Sequence, residues 1–252
     1  METIKSTVKK LVQITSSKLE QVNVLQEINT LFLTQYMLEI DTNFQLYPIE
    51  VEAYYYNEMN FRDTCVHQNE LQKNFDKLYF HRAGQKKDSA FLYDKGGVDV
   101  CLSEEENCFF GILIRSAWIN NEEKPICGPG LLTRRIVEHI CNDHTITKIT
   151  EKEATEIRKL EDKSIIINAQ NDKRKKEPIF ESTRFNIKAD KEYSPYKLRS
   201  LIELKEPNHK FKEKEKVVIS YFEDHKEIEV TFEKIKALLG YKAKVVFDHF
   251  NK

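Results

Sequence analysis

Tyr47-Pro48-Ile49-Glu50-Val51-Glu52-Ala53-Tyr54-Tyr55-Tyr56 is the stretch on which the reading of this chain turns. Its residues alternate in kind. Ile49, Val51 and Ala53 point one way, while Glu50, Glu52 and Tyr54 point the other. Aromatic and β-branched residues favour extended backbone, so a strand is predicted here. Two carboxylates at i and i+2 then share one face beside a tyrosine. A carboxylate on a rigid strand, next to aromatic surface, suits a general base held over a flat substrate. The same alternation also describes an edge strand whose wet face is Glu and Tyr and which does no chemistry.

Upstream, residues 17–40 repeat apolar positions at helical spacing (Leu19, Val22, Leu25, Ile28, Phe32, Tyr36). One long amphipathic helix is predicted, capped by Ser16 or Ser17 and ended by Thr42 and Asn43. Downstream, residues 57–84 are irregular, polar and aromatic, the kind of segment in which sites lie, except for a short strand read at residues 77–81. They hold His67, beside Cys65, and the pair His81-Arg82. Residues 89–93 and 98–103 are predicted as two strands joined by Asp94-Lys95-Gly96-Gly97, a hairpin signal. Residues 109–119 form an apolar strand interrupted by Arg115. A buried arginine needs partners, so a carboxylate is expected near it. Gly128-Pro129-Gly130 precedes a helix starting near Leu131, whose free N–H groups, with Arg134 and Arg135, suit an anion. A second helix is expected over residues 150–160, with Thr150 and Glu153 at capping-box spacing. A short buried strand follows at residues 164–168. After a Lys/Glu-rich linker at residues 205–216, the tail is read as strand, strand, short helix and strand.

The chain has 252 residues, 40% hydrophobic and 32% charged, which is the composition of a soluble globular protein. No apolar run is long enough to span a bilayer, and the first residues lack a signal-peptide core. Five cysteines without a CxxC pair favour reduced thiols, hence a cytoplasmic or nuclear setting. His139, Cys141 and His144 fall near one helix end but lack the paired spacing of a zinc site, and no metal or other cofactor is expected. The formal net charge is -1. Residues 173–216 hold 14 basic and 8 acidic residues, a net of +6, so the remainder carries -7. That asymmetry suits polyanion binding and equally a solvated surface.

Taken in order, these segments resemble the alkyladenine (3-methyladenine, or methylpurine) DNA glycosylase family. Its Glu-Thr-Glu-Ala-Tyr strand is similar to Glu50-Val51-Glu52-Ala53-Tyr54. Its Ala-Ala-His-Ser element is similar to Cys65-Val66-His67-Gln68. Its tyrosine-rich strand, glycine and following strand are similar to Phe91-Leu92-Tyr93 and Gly97-Val98-Asp99-Val100-Cys101-Leu102-Ser103. Its Leu-Leu-Arg-Ala strand resembles Leu113-Ile114-Arg115-Ser116-Ala117, and its Gly-Pro-x-x-Leu helix start resembles Gly128-Pro129-Gly130-Leu131-Leu132. Thr183-Arg184-Phe185-Asn186-Ile187 and Pro195-Tyr196-Lys197-Leu198-Arg199 fall where its late strands lie. The likeness covers residues 44–201.

The resemblance implies an α+β fold: one curved, mostly antiparallel β-sheet with flanking helices, of the kind also seen at the C-terminus of formyltransferases. The likeness places a glycosylase-like domain at 44–204; outside it, the residue pattern adds an N-terminal helical segment at 1–43 and a C-terminal extension at 205–252 packed on the domain. The resemblance implies that Glu52 activates water, that Arg115 helps hold it, and that Tyr54, His67, Tyr93 and Ser103 form the pocket of a flipped base. Lys95, Gly128, Gly130, Arg134, Lys197 and Arg199 would meet DNA. Lys95-Gly96 stands where the family inserts a tyrosine into the duplex, and Ser103 where it has an asparagine. A monomer acting on DNA, without membrane or metal, is the expectation. A non-catalytic nucleic-acid-binding protein of the same fold and a nucleoside or nucleotide N-glycoside hydrolase are the alternatives.

Overall fold

The quoted stretch lies inside β2 (Phe44–Asn57), fourteen residues long and the axis of the fold. The structure, a computed structural model, describes residues 2–93, 95–120, 122–169, 177–187 and 190–251. β2 pairs along most of its length with β6 (Cys108–Ile119). Its other edge pairs with β1 (Tyr36–Asp41) and then with β10 (Arg199–Leu201). Beyond β6 lie β5 (Val98–Cys101) and β4 (Lys77–Phe80). Beyond β1 lies β8 (Ile166–Asn168), and beyond β10 lies β9 (Phe180–Ser182). Short β3 (Phe61–Arg62) and β7 (Ile126–Cys127) pair with β2 and β6. These ten strands make one antiparallel sheet, curled into a half-barrel. The expected α+β class with a curved antiparallel sheet therefore holds.

One face of the sheet is the main core. Ile49, Val51 and Ala53 of β2 are fully buried there with Ile112 and Ile114 of β6. Burying each such aliphatic side chain stabilises the fold by roughly 1.5–3 kcal/mol. Helices α1 (Glu2–Gln13), α2 (Lys18–Thr34), α3 (Pro129–Cys141) and α4 (Glu151–Glu161) supply the cover. α2 lies on β2, α3 on β6 and α4 on β4, with α1 against α2. Ser17 caps α2 by accepting from the Glu20 amide at 3.2 Å. Thr150 and Glu153 form the expected capping box on α4.

Three segment readings are corrected. The helix starting at Lys18 ends at Thr34, and Tyr36 opens β1 instead of closing the helix. Burial there alternates at Tyr36, Leu38 and Ile40, a period of two, and Thr42-Asn43 is the turn of the β1–β2 hairpin. Residues 89–93 are not the partner of β5. β4 is, and Phe91 makes only an isolated bridge with Arg82. Asp94 of the presumed turn lies outside the described residues. The tail carries no strands among the described residues but three helices, α5 (Lys214–Asp224), α6 (Phe232–Leu239) and α7 (Lys244–Phe250). Val217, Val218, Phe222, Ile235, Leu239 and Val246 join Phe180 and Leu201 in a second core. The tail's β-branched residues favour strands locally, but the helical period gathers them on one face, and packing decides. Gly240, at φ +83°, ends α6 in the left-handed conformation that glycine adopts without strain. Among the described residues no helix is long and apolar enough to cross a membrane.

Candidate functional site

The sheet face opposite the main core is polar, and its centre is Glu50, Glu52 and Tyr54. A local irregularity builds it. Pro48 pairs with Ala117 and Val51 with Ile114, but between them Glu50 pairs with Ser116. Ile49 on one strand and Arg115 on the other are left without a partner opposite, and the two slips cancel. In a regular strand Arg115 and Ser116 would point to opposite faces. The bulge re-aims the arginine so that both reach Glu50. Arg115 Nε donates to Glu50 Oε1 at 2.8 Å, and Ser116 Oγ donates to Glu50 Oε2 at 2.7 Å.

Glu52 sits one pair further along. Its Oε1 accepts from the Phe185 amide at 2.7 Å. Its Oε2 accepts from the Tyr54 hydroxyl at 2.9 Å and from Arg115 Nη1 at 3.3 Å. Arg199 closes the cluster from β10, donating through Nε to Glu50 Oε1 at 2.9 Å. Glu52 and Arg199 are both 0% exposed and Glu50 is 2% exposed. Burial pushes the Glu50 carboxyl up, but the guanidiniums of Arg199 and Arg115 outweigh it and hold it below the usual carboxylate range. Burial and the adjacent Glu52 charge push the Tyr54 phenol well above its usual range. Arg184 stacks over the Tyr54 ring at 4.6 Å and pairs with buried Asp63 at 2.5 Å.

Tyr54 also lines a cavity of about 140 Å³ with Cys65, His67, Gln72, His81, Asp99 and Ile187. The ring of His67 lies 4.2 Å from that of His81 and 5.9 Å from that of Tyr79. Burial, helped by the neighbouring His81, holds the His67 imidazole below its ordinary range. Gln72 and Asp99 line the pocket and Tyr79 stands behind His67, and sequence reasoning passed over all three; His81 was noticed there without a role. Their signal was the register of β4 on β5, which sets Tyr79 opposite Asp99.

The expected site residues thus divide. Glu52, Arg115, Tyr54 and His67 come together. Tyr93 does not face His67. It is buried, donates to the Ile146 carbonyl at 3.3 Å, and lies under Arg134 at 5.6 Å. With Lys95 it lines a separate hollow of about 600 Å³ beside Lys148 and Arg158. Ser103 is also elsewhere, at a turn against α1, where its Oγ accepts from the Glu105 amide at 3.2 Å. Gly128, at φ +114°, begins α3, and its amide is already spent on the Arg115 carbonyl at 2.7 Å. Gly130 follows in the first turn of α3, where Arg134, Arg135, Lys124 and Lys210 border a hollow of about 560 Å³. Lys197 pairs with Asp224 at 2.5 Å. Arg199 cannot meet DNA as expected, because its whole side chain is enclosed with Glu50. The basic stretch at residues 173–216 is accordingly less basic at the surface than it reads, with Arg184 and Arg199 neutralised inside. Residues 173–176 and 188 of it lie outside the described residues.

His139 pairs with Asp41 at 2.6 Å and His144 with Glu138 at 3.4 Å, so neither turns toward Cys141. Asp63, Cys65 and Asp190 do place ligand atoms within 4.8 Å of one another. Their oxygens are engaged, however, Asp63 by Arg184 and Asp190 by the Thr64 hydroxyl at 2.6 Å. Comparison with protein-family models and with curated proteins finds no match.

Proposed function

We propose that this chain is a monofunctional DNA glycosylase that flips a damaged or modified base, an alkylated purine first among candidates, and hydrolyses its N-glycosidic bond. The observation that carries the reading is the contact of Glu52 with both Arg115 and Tyr54, at the wall of a cavity edged by imidazoles. A cavity of about 150 Å³ holds one benzene-sized ring, so the space takes part of a flat base, one ring of a purine, and not a whole nucleotide. Base excision needs the nucleotide out of the stack and its base held against ring faces. Glu52 would take a proton from water aimed at the anomeric carbon, and its charge would favour the cationic sugar that develops as the bond breaks. Arg115 keeps 10% of its side chain exposed while Glu52 has none, so a water would have to reach the carboxylate past Arg115. The hollows edged by Lys95 and by Arg134 are the surfaces offered to phosphates.

The test is base release from alkylated duplex and single-stranded oligonucleotides by the native protein and by Glu52→Gln. Release by the native protein alone supports the reading. Equal release by both removes Glu52 from the chemistry.

One observation favours a second reading, a non-catalytic nucleic-acid-binding protein. Glu52 has no exposed surface, and both its oxygens already accept from protein donors. A carboxylate so enclosed also serves simply to neutralise arginines. Salt-dependent DNA binding with no released base would select this reading.

A further inference from the structure

The C-terminal helices lie outside the family-like residues and have no task in the reading above. α5, α6 and α7 close on a core of their own, built on Val217, Phe222, Ile235, Leu239, Ala243 and Val246. Residues 240–243 join α6 to α7, and this turn opens at left-handed Gly240, whose amide donates to the Lys236 carbonyl at 2.8 Å. Two helices joined by a glycine-bearing turn of three to four residues form a helix-turn-helix. Side chains fix the pair in one arrangement. Phe232 of α6 stacks on Phe247 of α7, with ring centroids 4.2 Å apart and planes 11° from parallel. The Tyr241 hydroxyl ties the turn to α5 by donating to Glu215 Oε1 at 2.6 Å. His249 ties α7 to α5, 3.3 Å from Glu223.

The two sides of α7 differ. Ala243, Val246, Phe247 and Phe250 join the core of this unit. Lys244 and Val245 share the other side with Asp248, one turn further on. Lys244 is exposed and Val245 is 60% exposed, so among the described residues nothing covers that side. Charge is also unevenly placed. Residues 214–252 hold eight basic and seven acidic residues. Within them, residues 232–247 hold Lys234, Lys236, Lys242 and Lys244 against Glu233 alone, a net of +3. All four lysines are exposed, and none is ion-paired among the described residues. The acids of α5 are engaged elsewhere, Glu215 by Tyr241, Glu223 by His249 and Asp224 by Lys197. The positive charge of the helix-turn-helix is therefore uncompensated and suits a polyanion.

We infer that α6 and α7 are a docking unit for duplex DNA, with α7 entering the major groove. That groove, about 12 Å wide, admits one helix, and its floor carries the donors, acceptors and methyl groups that identify the bases. Val245 is placed to meet a thymine methyl group and Asp248 to accept from a cytosine amino group. Lys242 in the turn and Lys244 beside it take the flanking phosphates. The inference does not rest on the glycosylase reading, because a chain that releases no base can still dock in this way.

The experiment titrates the full chain, over a range of salt, with an undamaged duplex about two helical turns long and with one of its single strands. Lys242→Ala combined with Lys244→Ala is expected to weaken duplex binding by on the order of tenfold and to lower the slope of log affinity against log salt by about 2, one for each lysine. Val245→Glu, which touches no lysine, is expected to weaken duplex binding as well. Both should affect the single strand less than the duplex. Lys216→Ala, whose lysine already pairs with Glu213, is expected to change neither. Every substituted side chain is exposed, and an unchanged melting temperature verifies that the variants are folded. Unchanged duplex affinity and slope in the double variant, or an equal loss on duplex and single strand, overturns the inference. So does a native chain that binds no duplex at low salt. Base release is measured separately, so the glycosylase reading can fail while this inference holds.

Discussion

Glu52 of β2 and Asp99 of β5 both stand opposite Leu113 of β6, one from each side. They therefore occupy a single row across the sheet. Arg199 extends that row at the Glu52 end and Tyr79 at the Asp99 end. Two strand spacings separate the acidic residues' backbones by roughly 10 Å.

Glu50, not Glu52, is the keystone for stability. It bridges Arg115 and Arg199, both nearly or wholly buried. Glu50→Gln leaves two guanidiniums short of a counter-charge, and breaking a buried pair costs about 3–5 kcal/mol. Urea denaturation should show a loss of that size. The exposed Lys197–Asp224 pair is the control: Lys197→Gln should shift stability by no more than about 1 kcal/mol.

Gly111 leaves room for Asp99. A Cβ at that position would fall 2.7 Å from Asp99 Oδ2 and 3.0 Å from its Cβ. Both atoms belong to a side chain already fixed by His81 and Gln72, so neither can yield cheaply. Gly111→Ala is expected to cost about 1–3 kcal/mol as overpacking. Thermal denaturation measures the cost.

His209 should set part of the acid limb of stability. It is 1% exposed, its Nε2 has no hydrogen-bond partner among the described residues, and Nδ1 lies 3.4 Å from the Glu203 carbonyl. Burial pushes its pKa down to about 4. The unfolded chain, with an ordinary histidine, then binds more protons than the folded one as pH falls from about 6.5 toward 4. The stability present above pH 6.5 is lost across that window, by roughly 3 kcal/mol in full. Melting profiles from pH 7 to 4 should be shallower for His209→Phe than for the native protein, once the shared carboxylate contribution is subtracted.

The basic border of α3 makes a separate prediction about DNA. Arg134→Ala and Lys210→Ala should weaken binding about equally for damaged and undamaged sequences. Each should lower the slope of log affinity against log salt by about 1 if the side chain neutralises one phosphate. A change in base preference instead would place that residue in the pocket.

How much of this could be read from residues alone follows the physics of each segment. β2 was legible because Ile49, Val51 and Ala53 alternate with polar residues over its length. β6 was legible because its apolar run had one charge, and the carboxylate that Arg115 required proved to be two. α4 announced itself through Thr150 and Glu153. α1 was covered only by the coarse expectation of a helical segment at 1–43, although Ile4, Val8 and Leu11 recur at helical spacing and are buried. The tail was misread because Val217, Val218 and Val246 favour extended backbone locally, while their burial is decided by Phe180 and Leu201, far away in sequence. The pocket was half legible. Tyr54 and His67 lie in recognisable motifs, but Tyr79, His81 and Asp99 reach it through strand pairing, which no local pattern encodes.

The paired slips around Glu50 and Ser116 also limit how the gene can drift. Gain or loss of one codon in either strand near that point would send the Arg115 guanidinium into hydrocarbon and leave Glu50 without a counter-ion. Such length changes should be costly to folding, whereas the exposed residues 85–88 between β4 and β5 can vary in number at less cost. Descendants of this sequence should therefore differ in size at their loops while β2 and β6 keep an unvarying residue count.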